Sequence, residues 1–334
     1  MANKLYSKFK KFLKNNYIYI SIIFVFILVF IIPVPYSIEI PGGLIDVNDK
    51  ITMKNEKYTN TKGSLNLTYV TTLDGNVLTF LTSIFNRNWD AISIKNDDYN
   101  EKDNSIRNSL MLENSLYNAY YAAYTYLEKE INIVSSKVYV AYISNDASTN
   151  LSVGDQILKV DGKEIDNSTD YSNIVNTKKV GDKLNIITTN GEKYIEVKEK
   201  DGKNNTLIYI ICNNKYDVND FTFDFDKSES GPSGGLMVAL SIYDKLVDFD
   251  LTNGLVVAGT GTIDMDGNVG EISGIKYKIV GAGEQGADIF LVPKENYVEA
   301  YEVKKINGYD DMKLVPVETF SDAVKYLEEY EVDK

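Results

Sequence analysis

Residues 17–36 read YIYISIIFVFILVFIIPVPY, a run without charge in which Ser21 is the only strongly polar side chain. About 20 apolar residues are what a helix needs to span the hydrocarbon core of a bilayer. A core helix of a globular domain keeps a polar face, and this segment is apolar all round. A secretory signal ends in a small-residue cleavage site, whereas this run ends in Pro33-Val34-Pro35-Tyr36. The segment therefore reads as an uncleaved transmembrane helix over 17–36, in preference to a core helix or a signal peptide. Residues 1–16 carry Lys4, Lys8, Lys10, Lys11 and Lys14 and no acid. Positive flanks stay in the cytoplasm. The expectation is a cytoplasmic basic tail at 1–16, a single span, and an extracytoplasmic remainder of the chain.

The 334 residues leave room for two folded domains beyond that helix. Lys and Arg number 35 against 48 Asp and Glu, a net charge of −13, with the only basic cluster on the tail. A nucleic-acid partner is not expected, because phosphate binding needs basic surface. The chain has one cysteine, Cys212, and no histidine. That excludes Ser-His-Asp and Cys-His mechanisms, imidazole metal sites, and an intrachain disulfide. If the chain is an enzyme, its base is a carboxylate, a lysine or a tyrosine. No G-x-x-x-x-G-K-[ST] occurs. The Gly259–Gly261 pair lacks the third glycine of a dinucleotide loop, because Asp264 stands there. No cofactor and no metal are expected.

Residues 37–62 read as a polar connector with weak strand signals. Gly63 to Thr72 alternates Leu65, Leu67 and Tyr69 with polar neighbours, as a strand does. Residues 105–129 lack Gly and Pro and place Ile106, Leu110, Tyr117, Tyr120, Ala123, Tyr124 and Leu127 on a helical repeat. Asn104 or Ser105 is the expected cap. Lys137–Ile143 alternates as a strand, Asp161-Gly162 is a turn, and 183–189 and 192–198 are strands joined across Asn190-Gly191. A short helix is predicted over Asp170–Thr177. Residues 131–200 thus form a small β-rich domain. Its LSVGDQILKVDGKEI, residues 151–165, resembles the PDZ signature. The resemblance implies binding of an extended peptide by strand addition; the plain alternative is a structural β insertion without a ligand.

Phe221, Phe223 and Phe225 alternate with Thr222, Asp224 and Asp226 as a strand with one aromatic face. SESGPSGG, residues 228–235, is a turn, and 236–246 a helix in whose first turn Pro232 fits. Ser233 is therefore expected between a strand end and a helix N-terminus, where free N–H groups and the helix dipole favour an oxyanion. A serine hydroxyl needs a base. Without histidine, lysine is the candidate, once burial brings its pKa from about 10.4 toward about 7–8. Gly254–Thr262 reads as an apolar strand, Asp264–Gly267 as a turn, and Gly270–Gly274 leads into a helix holding Lys276 and Lys278. Both lysines have small or apolar helical neighbours, and the local residues do not choose between them. Ala287–Val292, closed by Pro293, is a further strand, so the order describes an α/β layer.

GPSGG, then GTGTIDMDGNVGEISGIKYK, then GADIFLVP resemble the proteolytic domain of Lon-type serine proteases. With the anchor and the PDZ-like unit, the whole chain resembles the membrane-anchored PDZ–Lon proteases. The resemblance implies Ser233 as nucleophile, Lys278 as base, and Thr260 as a hydroxyl bonded near the lysine. Backbone around Gly231–Ser233, including Pro232, is implied as oxyanion support. Ser230-Gly231-Pro232-Ser233-Gly234-Gly235 stands where relatives carry Gly-Gly-Pro-Ser-Ala-Gly, and Ser273-Gly274 where they carry Gly-Gly; every replacement is small.

The expected fold is α+β, in five stretches. They are a basic tail (1–16), a transmembrane helix (17–36), a connector with the N-terminal part of the proteolytic domain (37–130), a PDZ-like domain (131–200) and a Lon-type α/β proteolytic domain (201–334). The expected function is an ATP-independent, membrane-anchored serine endopeptidase acting on extracytoplasmic proteins or peptides. The resemblance adds an expectation of homo-oligomers. The alternative is a non-catalytic, membrane-anchored PDZ peptide-binding adaptor with a Lon-like shape.

Overall fold

The computed structural model describes residues 2–54, 62–94, 100–226 and 231–330. Residues 55–61 of the expected connector and 228–230 of the expected turn lie outside the described residues. The chain divides into two compact units, one of residues 1–42 and 70–96, the other of 43–69 and 97–334.

The first unit opens with α1 (Ala2–Ile31). It holds the one helix among the described residues long and apolar enough to cross a membrane, Leu5–Ile31. It stops short of the expected residue 36. Proline disfavours helical backbone at the residue before it and has no N–H to donate, so Pro33 ends the helix. Residues 33–36 instead open β1 (Pro33–Asp46). This strand also replaces the first ten residues of the expected connector. Its residues Tyr36–Glu39 pair antiparallel with Asp90–Ser93, which form β4. Between them lie β2 (Ile51–Met53), assigned to the second unit, β3 (Ser64–Asn76) and α2 (Val77–Phe85). A reciprocal capping box of Asn76 and Thr79 starts α2. The unit boundaries fall inside β1 and β3.

The second unit begins its helical layer with α3 (Glu101–Tyr126). The cap is Asn100, whose side chain accepts from the Lys102 and Asp103 N–H groups. Asn104, an expected cap, lies inside the helix and donates its N–H to Asn100 O. The PDZ-like region follows. Its elements are β5 (Ile133–Ile143), β6 (Gln156–Val160), β7 (Lys163–Glu164), α4 (Ser168–Asn176), β8 (Lys183–Thr188), β9 (Gly191–Glu196), β10 (Lys198–Lys200), β11 (Lys203–Asn205) and β12 (Ile208–Tyr216). The sheet order is β12-β5-β6-β8-β9, with β7 paired to β6. Val138, Val140, Ile157, Leu184, Ile186 and Ile195 fill a core of its own. Asp161 and Gly162 both take positive φ, 49° and 80°, as a two-residue hairpin turn of the primed kind requires. At β8–β9 the loop is Thr189-Asn190, and Gly191 is already paired with Thr188; the turn sits one residue earlier than expected.

The remaining elements are β13 (Phe221–Phe223), α5 (Gly235–Leu246), β14 (Val256–Gly259), β15 (Thr262–Ile263), β16 (Val269–Gly270), α6 (Ile275–Glu284), β17 (Ile289–Pro293), α7 (Tyr297–Asn307), β18 (Lys313–Val317) and α8 (Phe320–Glu329). β13 pairs with β2. In the central sheet β3, β14, β17 and β18 run parallel in that order. Side chains alternate across it, as a period of two dictates. Val257, Ile289 and Leu291 join the core under α3, α5 and α8. Ala258, Phe290 and Val292 join the one under α6 and α7. Both faces of β14 and β17 are covered, so these two strands are apolar throughout.

Candidate active site

The parallel strands end where α5 and α6 begin, and ligand sites of open α/β sheets form at such carboxyl ends. β14 is shorter than the predicted strand because Thr260 and Gly261 leave the ladder. Thr260 N–H still bonds Leu291 O at 3.1 Å, while Gly261 N–H turns to Ser233 O at 2.7 Å. Ser233 lies in a single 3-10 turn, Pro232–Gly234, that feeds α5. Its carbonyl also accepts from the Thr260 hydroxyl at 2.9 Å. Two bonds from the end of β14 therefore fix the serine backbone.

Lys278 comes from the first full turn of α6, where its N–H bonds Gly274 O at 3.3 Å. Gly274 starts this helix in the left-handed region, φ 71° and ψ 26°, a conformation that glycine adopts without steric cost. The ammonium nitrogen lies 2.8 Å from Ser233 Oγ and 2.8 Å from Thr260 Oγ1. The residue is 3% exposed, and burial lowers its pKa from the usual lysine value to about 8. The groups that face it are hydroxyls. A neutral amine has two N–H groups and one lone pair. The Thr260 proton is committed to Ser233 O, so Thr260 Oγ1 accepts from Nζ. That bond orients the amine with its lone pair free for the Ser233 hydroxyl.

Of the two candidate lysines, then, Lys278 meets Ser233, and the Lys276 ammonium lies over the ring of Tyr277 at 5.5 Å. Pro232 has no N–H and cannot donate to an oxyanion; its carbonyl accepts from Ser115 Oγ at 3.3 Å. Gly231 and Ser233 carry the N–H groups at this turn.

Sequence reasoning missed a row of polar residues on α3. Asn114 Nδ2 donates to Cys212 O of β12 at 2.7 Å. Asn118 Nδ2 donates to Asn114 Oδ1 at 3.2 Å and to Ile263 O of β15 at 3.1 Å. With Ser115, these residues tie the PDZ-like sheet and β15 to the serine turn. The i, i+4 spacing of the two asparagines was the available signal. Beside the turn opens a groove of about 330 Å³, walled by Met111, Tyr209, Ile211, Pro232, Ile263 and Asp264.

The Lon protease (S16) C-terminal proteolytic domain family model matches residues 136–328. The Lon protease of Campylobacter jejuni is 29% identical over 185 residues, 52% of this chain and 22% of that protein. The archaeal Lon protease of Methanocaldococcus jannaschii is 29% identical over 134 residues, 40% of this chain and 18% of the relative. The matched part thus spans about a fifth of the length of these relatives. Among solved structures, the PDZ domain of an SdrC-like protein from Listeria monocytogenes matches 24% of this chain and 93% of its own, at 24% identity and a TM-score of 0.22. A corresponding PDZ domain from Listeria innocua matches 22% of this chain at 27% identity and a TM-score of 0.21. With the family match covering more than half of its residues, the chain belongs to the Lon protease (S16) C-terminal proteolytic domain family.

Proposed function

We propose that the chain is a membrane-anchored serine endopeptidase that works without ATP, with Ser233 as nucleophile and Lys278 as general base. The observation that carries this reading is the buried Lys278 Nζ at 2.8 Å from Ser233 Oγ. Neutral Lys278 takes the serine proton as Oγ attacks a peptide carbonyl. The tetrahedral oxyanion forms near the N-terminus of α5, where the Gly231 and Ser233 N–H groups and the helix dipole favour negative charge. Protonated Lys278 then gives its proton to the leaving amine, an acyl-enzyme remains, and Lys278 activates the water that hydrolyses it. Thr260 holds the amine in register throughout.

In the groove beside Pro232, Met111, Tyr209, Ile211 and Ile263 offer an apolar wall to a peptide side chain, and Asp264 and Asn268 offer polar groups to its backbone. Tyr209 and Ile211 come from β12, which ends the sheet order of the PDZ-like region. A peptide added along such an edge would reach the groove. α1 anchors the chain, with the lysine-bearing end in the cytoplasm and the catalytic unit outside it. Without a motor, substrates are unfolded segments, exposed tails or peptides. Homo-oligomers remain part of the proposal through the family resemblance.

The test is the full chain in detergent micelles, incubated with an unfolded protein and no nucleotide. Wild type and Lys276→Ala should cleave it; Ser233→Ala and Lys278→Ala should not. Cleavage by Ser233→Ala at the wild-type rate sinks the protease reading, and binding without cleavage by wild type is the behaviour of an adaptor.

A further inference from the structure

The surface of α2 is the reverse of an ordinary surface helix. Val77–Phe85 contains no charged residue, and none of its residues is buried. Leu81, Ile84 and Phe85, at helical steps of three and four, form an outward stripe in which Ile84 is 61% and Phe85 87% exposed. Ile92 and Ile94, at strand alternation in and just after β4, are exposed as well.

The polar side chains of α2 are turned inward on the helix itself. Thr82 Oγ1 donates to Leu78 O at 2.9 Å, Ser83 Oγ to Phe80 O at 2.7 Å and Thr79 Oγ1 to Asn76 O at 3.1 Å. All three hydroxyl protons in the helix are thus spent on backbone carbonyls. Water does not require that; a hydrocarbon surrounding does.

Position supplies the occupant. The Val77 N–H bonds Ile32 O at 3.2 Å, so α2 starts at the residue after α1 ends. From Tyr17 to Ile31 the apolar part of α1 rises roughly 22 Å at about 1.5 Å per residue, short of the ~30 Å hydrocarbon core. Even with Lys14 snorkelling, such a helix cannot hold its C-terminal end clear of the bilayer. Whatever is bonded to Ile32 sits at interfacial depth. There the unit places the rings of Tyr36 and Phe80, in tilted contact with centroids 4.8 Å apart, the half-buried Trp89 and the exposed Arg87. Those residue types populate membrane interfaces.

We propose that α2 and the exposed isoleucines after it are a second, non-spanning contact with the phospholipid interface, which holds this unit against the bilayer beside the anchor. This rests on α1 being a membrane anchor. Residue 89 is the only tryptophan in the chain, so its fluorescence reports on the connection between α2 and β4. The full chain is reconstituted into phosphatidylcholine–phosphatidylglycerol vesicles, with and without phospholipid brominated near the headgroup end of its acyl chains. Trp89 should lose about half or more of its emission in the brominated vesicles, as a ring at interfacial depth does. The Ile84→Asp/Phe85→Asp double variant should still float with the vesicles and keep its peptidase activity in detergent, but lose most of that quenching. Flotation of wild type with Trp89 unquenched overturns the proposal and leaves the anchor standing, as does equal quenching in the double variant. A blue-shifted but unquenched Trp89 means that a protein surface covers the stripe, which also overturns it. A wild-type chain that fails to float overturns the anchor and this proposal together.

Discussion

As the proposed base, Lys278 must be neutral to act, and it is costly to bury while charged. Both follow from one displacement, its pKa of about 8 against about 10.4 for the unfolded chain. kcat/KM should therefore rise with pH through a midpoint near 8, measured on a small peptide substrate. Stability carries the same signature with its own window. Between the two values the unfolded chain binds a proton that the folded chain lacks, so stability rises with pH across that interval and is lowest below about 8. Lys278→Met removes the buried charge and should stabilise the fold at pH 7 by on the order of 3 kcal/mol, with activity lost. The gain should vanish above about pH 11, which thermal melts at both pH values would check. Ser233, Thr260 and Lys278 entered the candidate site through the Lon resemblance of the glycine-marked segments that carry them, and the structure brings the three side chains together. The choice between Lys276 and Lys278 was not legible from neighbouring residues. It depends on which face of α6 points at the end of β14, and that is set by packing of Ile275, Ile279 and Ala282 against Phe290 and Ala258.

At the scale of elements, α3 is the part whose role the sequence concealed. Ser115, Asn114 and Asn118 look like the wet face of an amphipathic helix. Polarity alone does not separate a solvated asparagine from one that bonds two backbones. Asn118→Ala leaves Ile263 O without its donor and should cost about 1–2 kcal/mol of stability. It should also lower kcat more than it raises KM, with the pH midpoint unmoved, because the lysine itself is untouched. Asn118→Asp, which keeps the shape but loses the donor, should not rescue it. Gly235 reports on the same junction. A Cβ there would stand 2.7 Å from Ser115 Oγ and 2.8 Å from Ile263 Cγ2, so Gly235→Ala should push α5 from α3. A loss of about 1–3 kcal/mol with a fall in kcat is the expected outcome, read by melting and single-turnover kinetics. The Asp161-Gly162 turn of the PDZ-like region was easier to read, since the pair encodes its backbone directly, whereas the β8–β9 turn lies one residue earlier than Asn190-Gly191.

For the molecule as a whole, the long apolar helix was legible and its end was not. Hydropathy carried the apolar run on through Pro33-Val34-Pro35-Tyr36, but those residues belong to β1, where Tyr36 faces Ser93. A chain cut after Ile31 should fold and cleave unfolded substrate, whereas one cut after Tyr36 loses the first residue of that pairing and should melt at lower temperature. Comparing the two melts checks it. Pairings between distant segments were beyond sequence reading for a general reason: a strand pattern names a face and not a neighbour. β3 is the clearest case. Its neighbour β14 matches Val256 to Ser64, with the PDZ-like region lying between them in the chain. That arrangement has a consequence in time. The PDZ-like sheet closes on residues 133–216 and can form as soon as they are made. The proteolytic sheet cannot close until β14, β17 and β18 have followed, and the serine meets its lysine only then. If the chain is exported as proposed, its PDZ-like region is complete before the proposed serine–lysine pair exists, and the chain cannot cut itself or its neighbours until synthesis is nearly done.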